Sequence, residues 1–391
     1  MRIKGGASPD GMAFRDDPKG KGRMTGMFRK IGIGIIGASP ERGWAIDAHL
    51  PAISTSPDLE LRAVSTSRPE SARLAAEAFG VPGYSDHREL VARRDVDLVA
   101  VLVKVPHHKE LVASAIAAGK SVFCEWPLGK GLEEAVALAD MAKRAGVRGF
   151  VGLQSRSSPE MQYLRELVQG GYVGRVLSTS IVASGGNWGP VIEPENAYIL
   201  DRSNGASMMM IPFGHTMDGV LHCLGEFASL SAEVATMRSH AALLGTGEPI
   251  PMLVSDQILV AGKLASGAPI SVHYRGGMSA GTNFLWEING DAGDIVVSAA
   301  IGLAQLTELT IRGAKQGEAL VDLPVPAAYR RAPEGTPPGP AYNVAQAYVS
   351  IVQDLRDGGK RAPDFDHAVV RHRMIEAVRE AARSGQRQVS L

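Results

Sequence analysis

One stretch constrains this chain more than any other: Lys30-Ile31-Gly32-Ile33-Gly34-Ile35-Ile36-Gly37, continued by Ala38-Ser39-Pro40-Glu41-Arg42-Gly43-Trp44. A short β-branched run ends in a glycine turn, and Trp44 to Ser54 reads as a helix. In that order, a doubly wound sheet presents backbone N–H groups and a helix N-terminus to a pyrophosphate. The implied ligand is a dinucleotide. Gly32, Gly34 and Gly37 match G-x-G-x-x-G literally, but Gly32 and Gly34 lie inside the apolar run, where the backbone is committed to a sheet ladder. The phosphate turn is therefore expected to begin at Gly37 and Ala38. Ser39 takes the place of a second glycine, and Gly43 and Trp44 close a loop one residue longer than usual. At this point a glycine-bearing core strand without a ligand stands as the alternative.

The following segments extend the pattern. Leu59–Ser65 reads as a strand, Pro69–Phe79 as a helix, Val96–Val105 as a strand buried on both faces, and His108–Gly119 as a helix. Ser121–Glu125, a helix over Leu132–Gly146 and a strand over Val147–Leu153 follow. Alternation at this spacing predicts right-handed crossovers and a parallel sheet. After Ser157 a helix at Pro159–Gly170 leads into strand-like runs, some alternating with period two, from Val176 to Arg312. Phe213–Leu224 interrupts them as a helix, and helices near Tyr342–Arg356 and Phe365–Ser384 finish the chain. The expectation is an α/β protein. Residues 1–29 would be a disordered extension and 30–153 a doubly wound, Rossmann-type domain. Residues 154–391 would form an α+β domain with a large, mostly antiparallel sheet, whose last helices pack back toward the first.

The bulk numbers exclude several classes. Lys+Arg and Asp+Glu both total 41, so no net field draws nucleic acid or an anionic membrane. No apolar run approaches the ~20 residues of a spanning helix. The 2 cysteines, Cys124 and Cys223, have no metal spacing and fit a reducing cytoplasm.

Several segments together resemble the Gfo/Idh/MocA oxidoreductases. They are His49-Leu50-Pro51-Ala52, Val105-Pro106-His107-His108, Ala118 to Leu128 with Cys124-Glu125-Trp126-Pro127, and Gly214-His215-Thr216-Met217-Asp218. Val103-Lys104-Val105-Pro106, Glu125-Trp126, Gln154 to Pro159, Phe213 to Thr216 and Arg275-Gly276-Gly277 resemble the galactose-regulator subgroup, whose eukaryotic member is a repressor that binds NADP. The resemblance implies a substrate-binding sheet domain that often dimerises sheet to sheet. It places Gly37, Ala38 and Ser39 on the phosphate turn, and Pro106 and His108 beside the nicotinamide. Glu125, with Trp126 and Gln154, falls near its ribose, and His215 is the active-site histidine. Two departures bear on function. Trp126 stands where the family carries the lysine of Glu-Lys-Pro, and Ile211 where it carries an aspartate four residues before the histidine. Hydride transfer from an alcohol needs a proton acceptor and a group that holds the developing alkoxide. His215 supplies the first.

Lys104, expected at the carboxyl end of an apolar strand, is a candidate for the second if desolvation lowers its pKa; otherwise it meets solvent or the cofactor. The second strand ends in Ser65-Thr66-Ser67-Arg68 without the acid that usually holds a ribose hydroxyl, so Ser67 and Arg68 favour NADP(H) over NAD(H). Arg156, Asn187, Trp188 and Tyr198 are candidate substrate residues, with core packing as the alternative for each. His215, Asp218 and His222 share a helix face, but the resemblance calls for no metal, and none is expected. Two functions stand: an NAD(P)-dependent oxidoreductase acting on a sugar-like hydroxyl or carbonyl compound, and a silent dinucleotide sensor. Both imply a small-molecule ligand and a homodimer or higher oligomer.

Overall fold

The computed structural model describes residues 29–389, so the expected extension lies, but for Arg29, outside the described residues. Six strands form the first sheet: β1 (Ile31–Ile36), β2 (Leu59–Ser65), β3 (Gly83–Tyr84), β4 (Leu98–Val101), β5 (Ser121–Glu125) and β6 (Gly149–Gly152). All pairs are parallel and the spatial order is 3-2-1-4-5-6, that of a dinucleotide-binding sheet. Successive residues point to opposite faces. Ile33, Ile35, Leu98, Ala100 and Phe123 pack on one side, and Val99, Val101, Val122 and Cys124 on the other, so the strands read as continuous apolar runs. Gly32 and Gly34 serve packing: a Cβ on Gly34 would lie 2.6 Å from the Leu90 side chain. They are ladder residues, as the sequence reading required.

The strand expected over Val96–Val105 is shorter. Its ladder with β1 ends at Val101, Leu102 N–H still reaches the Ile36 carbonyl at 2.9 Å, and the chain then leaves the sheet for a 3-10 turn at Val105–His107. Apolar character here marks a buried loop, and Pro106 cannot donate to a ladder. Lys104 therefore sits on that loop rather than ending a strand.

The second sheet has nine strands, centred on Val176–Gly185. This strand pairs parallel with Pro269–Gly276 and antiparallel with Phe284–Gly290, and the remaining pairs are antiparallel. Ile181, Trp286, Ile270, Tyr274, Ile258 and Val260 fill its inner face. Val182, Leu285, Leu259 and His273 look outward, each at least partly exposed. The C-terminal helices do pack back. Val344, Tyr348 and Ile351 from Pro340–Asp357 join the core of the first sheet, and Val151 N–H donates to the Pro363 carbonyl at 2.9 Å. Among the described residues no helix is long and apolar enough to cross a membrane.

Candidate functional site

A groove of about 540 Å³ opens at the carboxyl edge of the first sheet, where β1 and β4 diverge. This is the switch point at which ligands bind in doubly wound sheets. Its lining includes Gly37, Ser39, Ser67, Arg68, Lys104 and His107. Gly37 has φ +103, and a Cβ there would come within 2.5 Å of the Leu102 carbonyl oxygen. Only glycine fits both demands. Its N–H already donates to the Ser65 carbonyl at 2.8 Å, so Gly37 contributes close approach and the turn rather than a donor. Ala38 is buried beneath the turn, while Gly43 and Trp44 start the following helix and do not line the groove. Arg68, exposed at the N-cap of the helix Pro69–Phe79, makes no ion pair among the described residues. Arg42 pairs with Glu195 at 3.0 Å, and the ammonium of Lys104, which lines the groove, lies 4.4 Å over the Tyr198 ring. Lys104 is exposed rather than buried at a strand end.

Deeper in the molecule, at the end of β5, Glu125 anchors a buried polar chain that the sequence reading did not assemble. The Gln154 amide donates to both Glu125 oxygens at 2.8 and 2.7 Å, and His49 Nε2 lies 2.8 Å from Oε1. His49 Nδ1 in turn meets the Tyr348 hydroxyl at 2.8 Å. Burial pushes the Glu125 pKa up, but the His49 and Gln154 hydrogen bonds and nearby imidazole charge outweigh it and hold it below the usual value. With Glu125 ionised, His49 Nε2 is the donor of that pair. The Gln154 carbonyl oxygen is left buried without a partner.

His215 stands in the first turn of the helix Gly214–Leu224, 4% exposed, with Nδ1 buried and unpartnered. Burial drives its pKa down to about 4 against the opposing fields of Glu125 and Asp218, so the imidazole is neutral at physiological pH. Trp126 lies on the same helix start: a Cβ on Gly214 would be 2.7 Å from its indole nitrogen. This is the local reason for glycine at that place. The indole N–H donates to the Met210 carbonyl at 2.6 Å, and the ring packs 4.7 Å from His372.

Several assigned residues face elsewhere. The His108 ring is 1% exposed, with Nδ1 2.8 Å from the Pro127 carbonyl and Nε2 2.9 Å from that of Val103; it pins two loops, and His107 lines the groove instead. Pro106 sits half-buried on the 3-10 turn between them. Trp126 has spent its N–H on Met210 and is closed in the interior, so it offers a cofactor no donor. Arg156 is not a substrate group: its guanidinium grips Asp218 at 2.6 and 2.8 Å, inside a cluster with His367 and Arg371. The Arg156 charge, the His367 hydrogen bond and the Arg371 charge together overcome burial and hold the Asp218 carboxyl well below its usual range. Trp188 is core, its indole N–H 3.4 Å from the Ile199 carbonyl. Asn187 and Tyr198 remain partly exposed, the latter with its hydroxyl pKa raised by burial.

A parallel sheet in dinucleotide order with a glycine cradle at its switch point is the architecture of a Rossmann-type domain. Residues 31–153 match the oxidoreductase family with an NAD-binding Rossmann fold, and residues 159–299 match the C-terminal domain of Gal80p. The dehydrogenase aclE of Aspergillus oryzae is 30% identical over 92% of this chain and 98% of its own. In the solved structures, a super-repressor mutant of Gal80p from Saccharomyces cerevisiae aligns with a TM-score of 0.82 at 23% identity, covering 92% of this chain and 98% of that one. A levoglucosan dehydrogenase in complex with NADH and levoglucosan aligns with 0.79 at 21% identity, covering 92% and 99%. The chain belongs to the Gfo/Idh/MocA oxidoreductase family, close to its Gal80-like members.

Proposed function

We propose that this protein is a nicotinamide-dinucleotide-dependent oxidoreductase acting on a hydroxyl or carbonyl carbon of a sugar-like compound. The observation that carries the reading is His215: a buried imidazole, neutral at physiological pH, with an unpartnered nitrogen and in the field of Glu125. The residues present fit a dinucleotide. Gly37 and Ser39 would take the diphosphate, Ser67 and Arg68 the adenosine ribose, and the unpartnered Gln154 oxygen and Glu125 the nicotinamide end. A bound nicotinamide exchanges hydride with carbon; the chain's own part is the proton. Neutral His215 accepts it from a substrate hydroxyl in oxidation and returns it in reduction, while ionised Glu125 stabilises the imidazolium. Asn187 and Tyr198 border the substrate, and Lys104 orients Tyr198 from solvent. The absence of an acid after β2 and the unpaired Arg68 favour NADP(H), with NAD(H) as the alternative. Cytoplasmic residence fits the two buried free thiols, and the outward face with Val182, Leu259 and Leu285 fits a sheet-to-sheet dimer.

A second reading rests on one observation: where the family offers lysine, this chain has a Trp126 whose N–H is consumed by Met210. A dinucleotide sensor that performs no turnover, like the galactose regulator, would tolerate that. Purified protein mixed with NADPH or NADH and a panel of ketoses and lactones, and with NADP+ or NAD+ and a panel of anhydrosugars, separates the two. Loss of the reduced-nicotinamide absorbance in the first set, or its appearance in the second, supports the oxidoreductase; tight binding without turnover across both panels supports the sensor.

A further inference from the structure

A second groove of about 540 Å³ shares no lining residue with the first. It is bordered by Lys130, Arg202, Arg379 and Arg383, and no carboxylate lines it. Ser207, Thr236 and Ser255 add hydroxyl groups. Arg379 and Arg383 pair with Glu376 and Glu380 on their own helix at 2.6 and 2.8 Å. Such solvent-facing pairs are weak and easily exchanged. Lys130 and Arg202 are in no ion pair among the described residues; the nearby Asp201 carboxylate instead caps the Ser203 N–H at 2.9 Å. Four like charges around one concavity repel one another, and a multivalent anion relieves that repulsion while accepting several charge-assisted hydrogen bonds.

We infer that this second groove is a binding site for a compact multivalent anion, of the phosphate-ester or pyrophosphate class. Its position gives such a ligand a consequence. The cations come from three segments: the loop after β5, the stretch leading into the His215 helix, and the last helix. Those same segments meet at Trp126, whose indole N–H holds Met210 and whose ring packs on His372. An anion clamping Lys130, Arg202 and Arg379 together would tie these three segments to one another beside Trp126 and the start of the His215 helix. The inference concerns anion binding and stands independently of any redox activity.

Inorganic pyrophosphate titrated calorimetrically into the full chain at low salt tests it. Because the dinucleotide groove also attracts phosphate, three proteins are compared: wild type, Arg68→Glu, and the double variant Lys130→Glu/Arg202→Glu. The expected result is a site that persists in Arg68→Glu and weakens at least tenfold in the double variant. The milder Lys130→Gln/Arg202→Gln should give an intermediate loss, with thermal melts confirming that each variant is folded. Binding unchanged in the double variant, binding abolished by Arg68→Glu alone, or no second site in wild type would overturn the inference. So would capture of an acidic peptide by a groove that ignores pyrophosphate.

Discussion

The groove at the β1–β4 switch point and the buried cluster around His215 and Glu125 make different demands on the chain. In the groove the work is done by shape: a positive-φ Gly37 against the Leu102 carbonyl, a serine-rich turn, and Arg68, which is in no ion pair among the described residues. In the buried cluster shape is not sufficient, because chemistry there depends on which groups carry protons. The cluster holds a neutral His215 and an ionised Glu125, but the places of two further polar groups in the family are taken by a packed indole and by Ile211. Binding machinery can thus be complete where catalytic polarity is reduced.

The comparison breaks most easily at His215. His215→Asn should lower turnover by ~10²–10⁴-fold and leave dinucleotide affinity within twofold, as read by steady-state kinetics and calorimetry. Equal losses in both would mean that the imidazole belongs to binding. Next in size is the support behind it. Asp218→Asn strands Arg156 and the fully buried Arg371, and breaking such a cluster costs about 3–5 kcal/mol, measurable as a shifted urea midpoint.

Acid should act on the buried cluster first. The folded pKa of His215, about 4, lies below its unfolded value, so the unfolded chain binds the extra proton between the two. Stability is full above pH ~6.5 and falls as pH drops toward 4, by up to about 3 kcal/mol for this one group. His372, lowered to about 3 by burial, adds in the same direction. The depressed Asp218 contributes stability above its unfolded value, lost only at still lower pH. Denaturation curves of His215→Asn and His372→Asn across pH 4–7 should be flatter than wild type.

The groove gives smaller effects. Gly37→Ala forces a Cβ into a conformation that costs roughly 1–3 kcal/mol and should weaken dinucleotide binding at least tenfold. Arg68→Ala should weaken NADPH by about tenfold, the loss of one charge-assisted bond, with NADH little changed. Equal effects on both nucleotides would remove the case for NADP(H).

What could be read in the sequence follows the same division. Local rules gave β2, the helix Pro69–Phe79 and the helix Phe365–Ser384 their observed bounds, because apolar spacing and caps act over a few residues. The short helix His87–Val91 escaped, although Asp86 with Glu89 three residues on is a cap signal. Partners far apart in sequence could not be paired. His49 and Tyr348 are 299 residues apart, and Arg156 and Asp218 62, so neither pairing leaves a local signal in the sequence. For His108 the residue type was informative but not the direction of its ring.

The most direct measurement is a calorimetric titration of the intact protein with NADPH, NADH and their oxidised forms, with Gly37→Ala alongside. One site per chain for at least one nucleotide, weakened in the variant, is the predicted result. No detectable heat with any of the four, or affinity indifferent to Gly37, would contradict the assignment of the β1–β4 groove to a dinucleotide.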